Sequence, residues 1–151
     1  IHEMLYQSDN LSLINYADYL KRLINNLMTS FKGDDHNINI LLDITEMYLN
    51  IDTAIPLGLL INEIITNSLK YAFCDNKPGS LYLKIFEGKE QDKFIMEIGD
   101  NGPGFSEDTF KSGKKTLGMQ LIYKLIKQIN GKIDRNMEKK GTHYHIYFEN
   151  V

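Results

Sequence analysis

Glu63, Asn67, Lys70 and Tyr71 recur at helical spacing in a 151-residue chain. A helix turns about 100° per residue, so a carboxylate, an amide, a cation and a phenol fall within one face. Leu57, Leu60, Ile61, Ile64, Ile65, Ser68, Leu69 and Ala72 make the broad opposite face, suited to packing on a sheet. Two asparagines and an isolated glutamate are poor choices for a face that only needs solubility. Glu63 is a candidate general base, or a group that orients an attacking one. Asn67 offers a neutral oxygen to a hard cation such as Mg²⁺, which is commonly completed by phosphates. Lys70 can neutralise phosphate charge; its other reading is a solvated lysine at a helix C-terminus, favoured by the dipole.

A second constellation follows at Gly99-Asp100-Asn101-Gly102-Pro103-Gly104-Phe105, where an acidic residue ends a strand at a glycine-rich turn. An ionised carboxylate only accepts hydrogen bonds, and the exocyclic amine of adenine donates them. Gly102 and Gly104 lack a Cβ and let backbone lie close to a purine. Alone, the segment also reads as a plain Asp-Asn-Gly turn. Coupled to the upstream helix it reads as the base end of a nucleotide site. Leu117-Gly118-Met119 opens a later helix whose free N–H groups and dipole suit phosphate. Thr142 either supplies a hydroxyl near the base or is a turn residue.

These residues need a frame. Helical periodicity runs through Leu13, Ile14, Tyr16, Ala17, Leu20, Leu23, Ile24, Leu27 and Phe31 and stops near Lys32-Gly33. A strand is expected over 38–44 and a short second one over 46–50. The motif helix is expected over 53–73, capped by Asp52 or Thr53, with Pro56 in its first turn. Strands over 81–86 and 93–99 form a hairpin around the charged turn 87–92. The polar segment 106–116 is expected as a lid, followed by a helix over 117–130 stopped by Gly131, and strands over 132–137 and 143–149.

Length admits one α/β core and not two ordinary domains. Net charge is −3 with both signs interspersed, and no basic stripe points to nucleic acid. No apolar run approaches a membrane span. The single cysteine, Cys74, excludes an internal disulfide and a cysteine zinc cluster. Gly113-Lys114-Lys115-Thr116 is not a phosphate loop of the Walker type: Asp108 stands where its first glycine belongs. His143 and His145 share one strand face, with Tyr144, Ile146 and Phe148 on the core side; without a nearby further ligand they read as a polar sheet face. A cytoplasmic soluble domain is expected. The chain opens at Ile1-His2-Glu3 in a helical pattern without a starting methionine, which suggests a piece of a longer protein.

Residues 60–72 and the turn at 99–105 together resemble the ATP site of the GHKL superfamily, which includes gyrase, heat-shock chaperones, MutL-type proteins and histidine kinases. The stretch from Asp52 to Phe73 is similar to the N-box of subgroup-2 sensor histidine kinases. Thr116-Leu117-Gly118-Met119-Gln120-Leu121-Ile122 resembles their short second glycine box. Residues 1–8 with Tyr19-Leu20 resemble the end of their dimerisation and phosphoacceptor region. The resemblance implies a two-layer Bergerat sandwich, a mixed sheet with helices on one face preceded by N-terminal helices. It implies a tail and connecting helix over 1–32 and an ATP-binding domain over 33–151. It assigns Glu63 and Lys70 to catalysis and Asn67 to Mg²⁺. It gives Asn67, Tyr71, Asp100, Gly102, Gly104, Phe110, Leu117 and Gly118 to ATP, beside the reading of Thr142 above. Two departures stand out: Tyr71 where many members have His, and no Gly-x-Gly in the second box. The implied activity is phosphorylation of a histidine on an upstream helix, then relay to a response regulator receiver domain, in a homodimeric parent. The alternatives are a free-standing serine kinase of the same superfamily that sequesters a sigma factor, and an ATP-gated dimer clamp.

Overall fold

The computed structural model describes residues 15–32, 38–72, 78–102 and 117–150. The elements run α1 (Tyr16–Lys32), β1 (Ile38–Ile44), α2 (Ile51–Asn67), a π-helical turn (Ser68–Ala72), β2 (Gly79–Glu87), β3 (Lys93–Asp100), α3 (Leu117–Gln128), β4 (Lys132–Arg135) and β5 (His143–Glu149). Alternation in the strands commits one face to the core. Leu81, Leu83 and Ile85 of β2 are buried, as are Phe94, Met96 and Ile98 of β3 and Tyr144, Ile146 and Phe148 of β5. The sheet order is β1-β2-β3-β5-β4. The β1–β2 pair is parallel and the other pairs antiparallel, so the sheet is mixed.

Helices α2 and α3 complete the core with Leu57, Leu60, Ile61, Ile64 and Ile65 from one and Ile122, Leu125 and Ile126 from the other. Helix α1 adds Tyr16, Leu20, Leu23 and Ile24 to the same cluster. The Tyr16 hydroxyl donates to the Ala54 carbonyl of α2. A Cβ on Gly58 would stand 3.2 Å from that hydroxyl, so the glycine admits the tyrosine to the helix surface.

Among the described residues the expected helices and longer strands are present, with local differences in bounds and caps. Residues 46–50 are not a strand. The Met47 carbonyl accepts from Tyr16 N–H at the start of α1 instead, and Met47 and Leu49 are buried. Helix α2 begins two residues earlier than the pattern suggested, at Ile51, and its N-cap is Asn50 with no side-chain cap bond. Neither Asp52 nor Thr53 caps: both lie inside the helix, and the Asn50 N–H is taken by Asn150 Oδ1 at 2.8 Å. Pro56 therefore sits in the second turn, not the first, where its missing N–H would have met the carbonyl of the exposed Asp52. Finally, Asn130, not Gly131, takes the left-handed position that ends α3, with φ 50°. Gly131 N–H and Asn130 N–H close back on the Ile126 and Lys127 carbonyls at 2.9 and 3.1 Å, a Schellman ending.

Candidate functional site

Strand parity decides where Asp100 points. Phe94, Met96 and Ile98 face the helices, so Asp100, the last residue of β3, faces them too. It is 2% exposed. Its Oδ2 accepts from the Ser68 hydroxyl at 2.5 Å. Its Oδ1 accepts from Gly102 N–H at 2.9 Å and Thr142 N–H at 3.2 Å. The Asp100 N–H donates in turn to the Thr142 carbonyl at 2.8 Å. A carboxylate offers about four acceptor positions. Three are filled by described residues, and the fourth has no partner among them.

Ser68 was expected only as a small residue of the packing face. It is the first residue of the π-helical turn, and its N–H reaches both the Ile64 and Ile65 carbonyls. Helices often widen in this way at functional positions. A serine on an otherwise apolar face was the available signal, because a buried hydroxyl needs a partner. Sequence order could not say that the partner was Asp100.

The other end of the site lies between α2 and α3. Glu63 and Asn67 are half-buried on α2. A Cβ on Gly118 would stand 2.7 Å from Glu63 Oε1 and 3.2 Å from Asn67 Nδ2. The glycine thus brings the first turn of α3 onto the carboxylate and amide of α2. Leu117 is 84% exposed beside it, and Lys70 is exposed. The two ends are joined through the chain, since Asn67 ends α2 and Ser68, its neighbour, holds Asp100. Glu63, Asn67 and Gly118 therefore form one group, and Asp100, Gly102 and Thr142 another. Gly104, Phe110, Cys74, the segment 106–116 and the Tyr71 side chain lie outside the described residues.

His143 departs from the expected polar sheet face. It lies on the side away from the core but is 8% exposed, covered by Tyr82. Among the described residues no group of three or more His, Cys, Asp or Glu could hold a metal. No described helix is long and apolar enough to cross a membrane.

Residues 52–150 match the family model described as histidine kinase-, DNA gyrase B-, and HSP90-like ATPase. The chain belongs to this ATPase family. Residues 1–31 match a second model, described as histidine kinase. The chain is 29% identical over 94 residues to blue-light-activated histidine kinase 2 of Erythrobacter litoralis, covering 61% of this chain and 26% of the relative. It is 27% identical over 107 residues to a probable C4-dicarboxylate sensor kinase of Halalkalibacterium halodurans, covering 63% of this chain and 20% of that one. It thus spans about a quarter or less of the curated relatives it matches. The fold is that of the histidine kinase domain of a blue-light-activated histidine kinase from Erythrobacter litoralis, with TM-score 0.81 at 21% identity over 95% of this chain and 64% of that one. The α/β sandwich expected from the sequence is therefore the ATPase fold of histidine kinases, and the domain is of the histidine kinase catalytic type.

Proposed function

We propose that this domain binds Mg-ATP between α2, α3 and the end of β3 and transfers the γ-phosphoryl group to a histidine on an upstream helix of the same kinase. The observation that carries the reading is the Ser68–Asp100 bond. It supports reading the Glu63/Asn67/Gly118 group and the Asp100/Thr142 group as two ends of one site. The free acceptor position of Asp100 takes the adenine amine, and Gly102 with Gly104 lets the ring lie close. Thr142 stays beside the base through its bonds to Asp100. The first turn of α3, at Leu117 and Gly118, supplies N–H groups to phosphate. Tyr71 and Phe110 are assigned to the nucleotide on the family resemblance, and Lys70 neutralises phosphate charge from the exposed side.

The donors suit a magnesium ion held mainly by phosphate and water, because Asn67 is a single neutral oxygen ligand and not part of an all-protein cage. When bound there, the ion would offset the negative charge of the phosphates. Glu63 acts as the base that takes the proton of the acceptor imidazole, or orients that ring in line with the phosphate. Residues 1–32 serve as the tail of the dimerisation region and the connecting helix, and 33–151 as the ATP-binding unit. A receiver domain then takes the phosphoryl group, in a homodimeric kinase on the cytoplasmic side.

The test is phosphoryl labelling. The 151-residue chain with Mg-ATP is expected to bind nucleotide and to form no acid-labile phosphohistidine, because His2 and His36 do not match the family's acceptor position and His143 and His145 lie on the sheet face away from α2 and α3. Adding the His-bearing helices of the parent kinase restores the label. Robust acid-labile label on the chain alone would overturn the assignment. Acid-stable label on an added protein would favour the serine-kinase alternative.

A further inference from the structure

Tyr82, Gly99 and His143 lie side by side in register on β2, β3 and β5, on the sheet face away from the helices. The Tyr82 hydroxyl is 2.7 Å from His143 Nδ1, and His143 Nε2 is 2.7 Å from the Lys140 carbonyl. A carbonyl only accepts, so Nε2 carries a hydrogen, and in the neutral ring Nδ1 accepts from the Tyr82 hydroxyl. The rings stack with centroids 5.5 Å apart at 23°. They meet only because Gly99 lies between them: a Cβ there would stand 2.7 Å from His143 Nδ1, 2.9 Å from the Tyr82 hydroxyl and 2.6 Å from the Thr142 carbonyl. Burial, helped by Glu97 and Asp100, pushes the Tyr82 phenol up to about 12, so it stays a donor at neutral pH.

This cluster sits directly behind the base end. Lys140 and the two residues before it are exposed, and His143 grips that turn from the sheet. The next residues, Gly141 and Thr142, lie against Asp100. A Cβ on Gly141 would fall 2.0 Å from the Asp100 carbonyl oxygen, and Thr142 N–H is bonded to the Asp100 carboxylate. We propose that His143, held by Tyr82, is a positioning residue for base selection: it fixes the 140–142 turn so that the Asp100 carboxylate keeps a single orientation toward the purine. The proposal rests on Asp100 reading adenine. Guanine presents a carbonyl oxygen where adenine presents its amine, so an Asp100 held rigidly rejects guanine and a loosened one discriminates less.

Calorimetric titration of the 151-residue chain with Mg-ATP and with Mg-GTP, beside thermal melts, tests this. Tyr82→Phe is expected to weaken ATP about threefold and His143→Ala about tenfold. His143→Gln, which can still donate to Lys140, falls between them. GTP affinity changes little, so the ATP-over-GTP preference drops by the same factors. A merely structural role would lower the melting temperature and leave that preference intact, and this result would overturn the proposal. Should His143→Ala not fold, Tyr82→Phe decides, since it keeps the stacked ring and removes only the hydroxyl. A wild-type chain that bound ATP and GTP alike would remove the adenine reading of Asp100 and the proposal with it. A selective wild type with equally selective variants would overturn the proposal alone.

Discussion

Around Asp100 the donors belong to the protein: Ser68, Gly102 and Thr142 all point at one carboxylate that is almost wholly buried. Around Glu63 and Asn67 the situation is reversed. Both are half-buried across the seam from Gly118, and among the described residues no hydrogen bond or ion pair engages either side chain. The glycines at the two ends differ in the same way. A Cβ on Gly141, where φ is 101°, would meet the backbone of Asp100, while one on Gly118 would meet the tips of two flexible side chains. In the proposed site, the base end is thus held by the fold itself, and the phosphate end is the one a ligand would complete. Selection of a base benefits from rigidity, whereas phosphoryl transfer needs groups that can follow charge as it moves.

The largest effect should come from Glu63→Gln. In the full-length kinase it is expected to lower the autophosphorylation rate by about 10²–10⁴-fold with ATP affinity retained, since a base is lost and shape is kept. Single-turnover labelling beside calorimetry reads both, and a parent-like rate would remove Glu63 as the base. Next is Asp100→Asn, in which one acceptor becomes a donor that faces either the adenine amine beside Ser68 or the N–H groups of Gly102 and Thr142. Losing a charge-assisted bond here amounts to about 1.5–3 kcal/mol, more than tenfold in affinity. Unchanged ATP affinity would dissolve the distinction between the two ends.

The glycines sharpen it. Gly141→Ala should destabilise the chain by about 1–3 kcal/mol from backbone conformation alone. Gly118→Ala should melt near the wild-type temperature, because Glu63 can swing aside, yet lose phosphoryl transfer. Equal losses of stability in the two variants would show that the phosphate end is as tightly built as the base end.

The smallest effect is alkaline. Tyr82 is raised to about 12, chiefly by burial, and Tyr16 and Tyr144 are raised as well for the same reason. Above the usual phenol range near pH 10 the unfolded chain releases these protons while the folded one keeps them, so stability is full below that range and falls as pH rises toward 12. Melting temperatures across that window should decline, and Tyr82→Phe should make the decline shallower.

Much of this was legible in the residues. The Glu63–Asn67 stripe, the Asp100 turn and the glycine at 118 were each visible because their periodicity or composition is local. Strand alternation and helical spacing likewise mark β1, β2, β3, β5 and α3, since burial on one face writes a period into the chain. Residues 46–50 misled because an extended, alternating segment reads as a strand whether or not a neighbour pairs with it. Here the start of α1 took the Met47 carbonyl. The cap of α2 misled because several adjacent residues have capping chemistry, and the choice fell to contact with Asn150, which is distant in sequence.

The sequence by itself determined which residue types stand on which face of each element, and so the kind of site that could form. Tertiary structure alone decided that Ser68 bonds Asp100, that Gly118 closes on Glu63 and Asn67, and that Tyr82 meets His143 across Gly99. The physical reason is range. Periodicity records what each element buries, while these contacts join residues 32 and 61 positions apart in two cases, and only strand register and helix packing bring such pairs within hydrogen-bond distance.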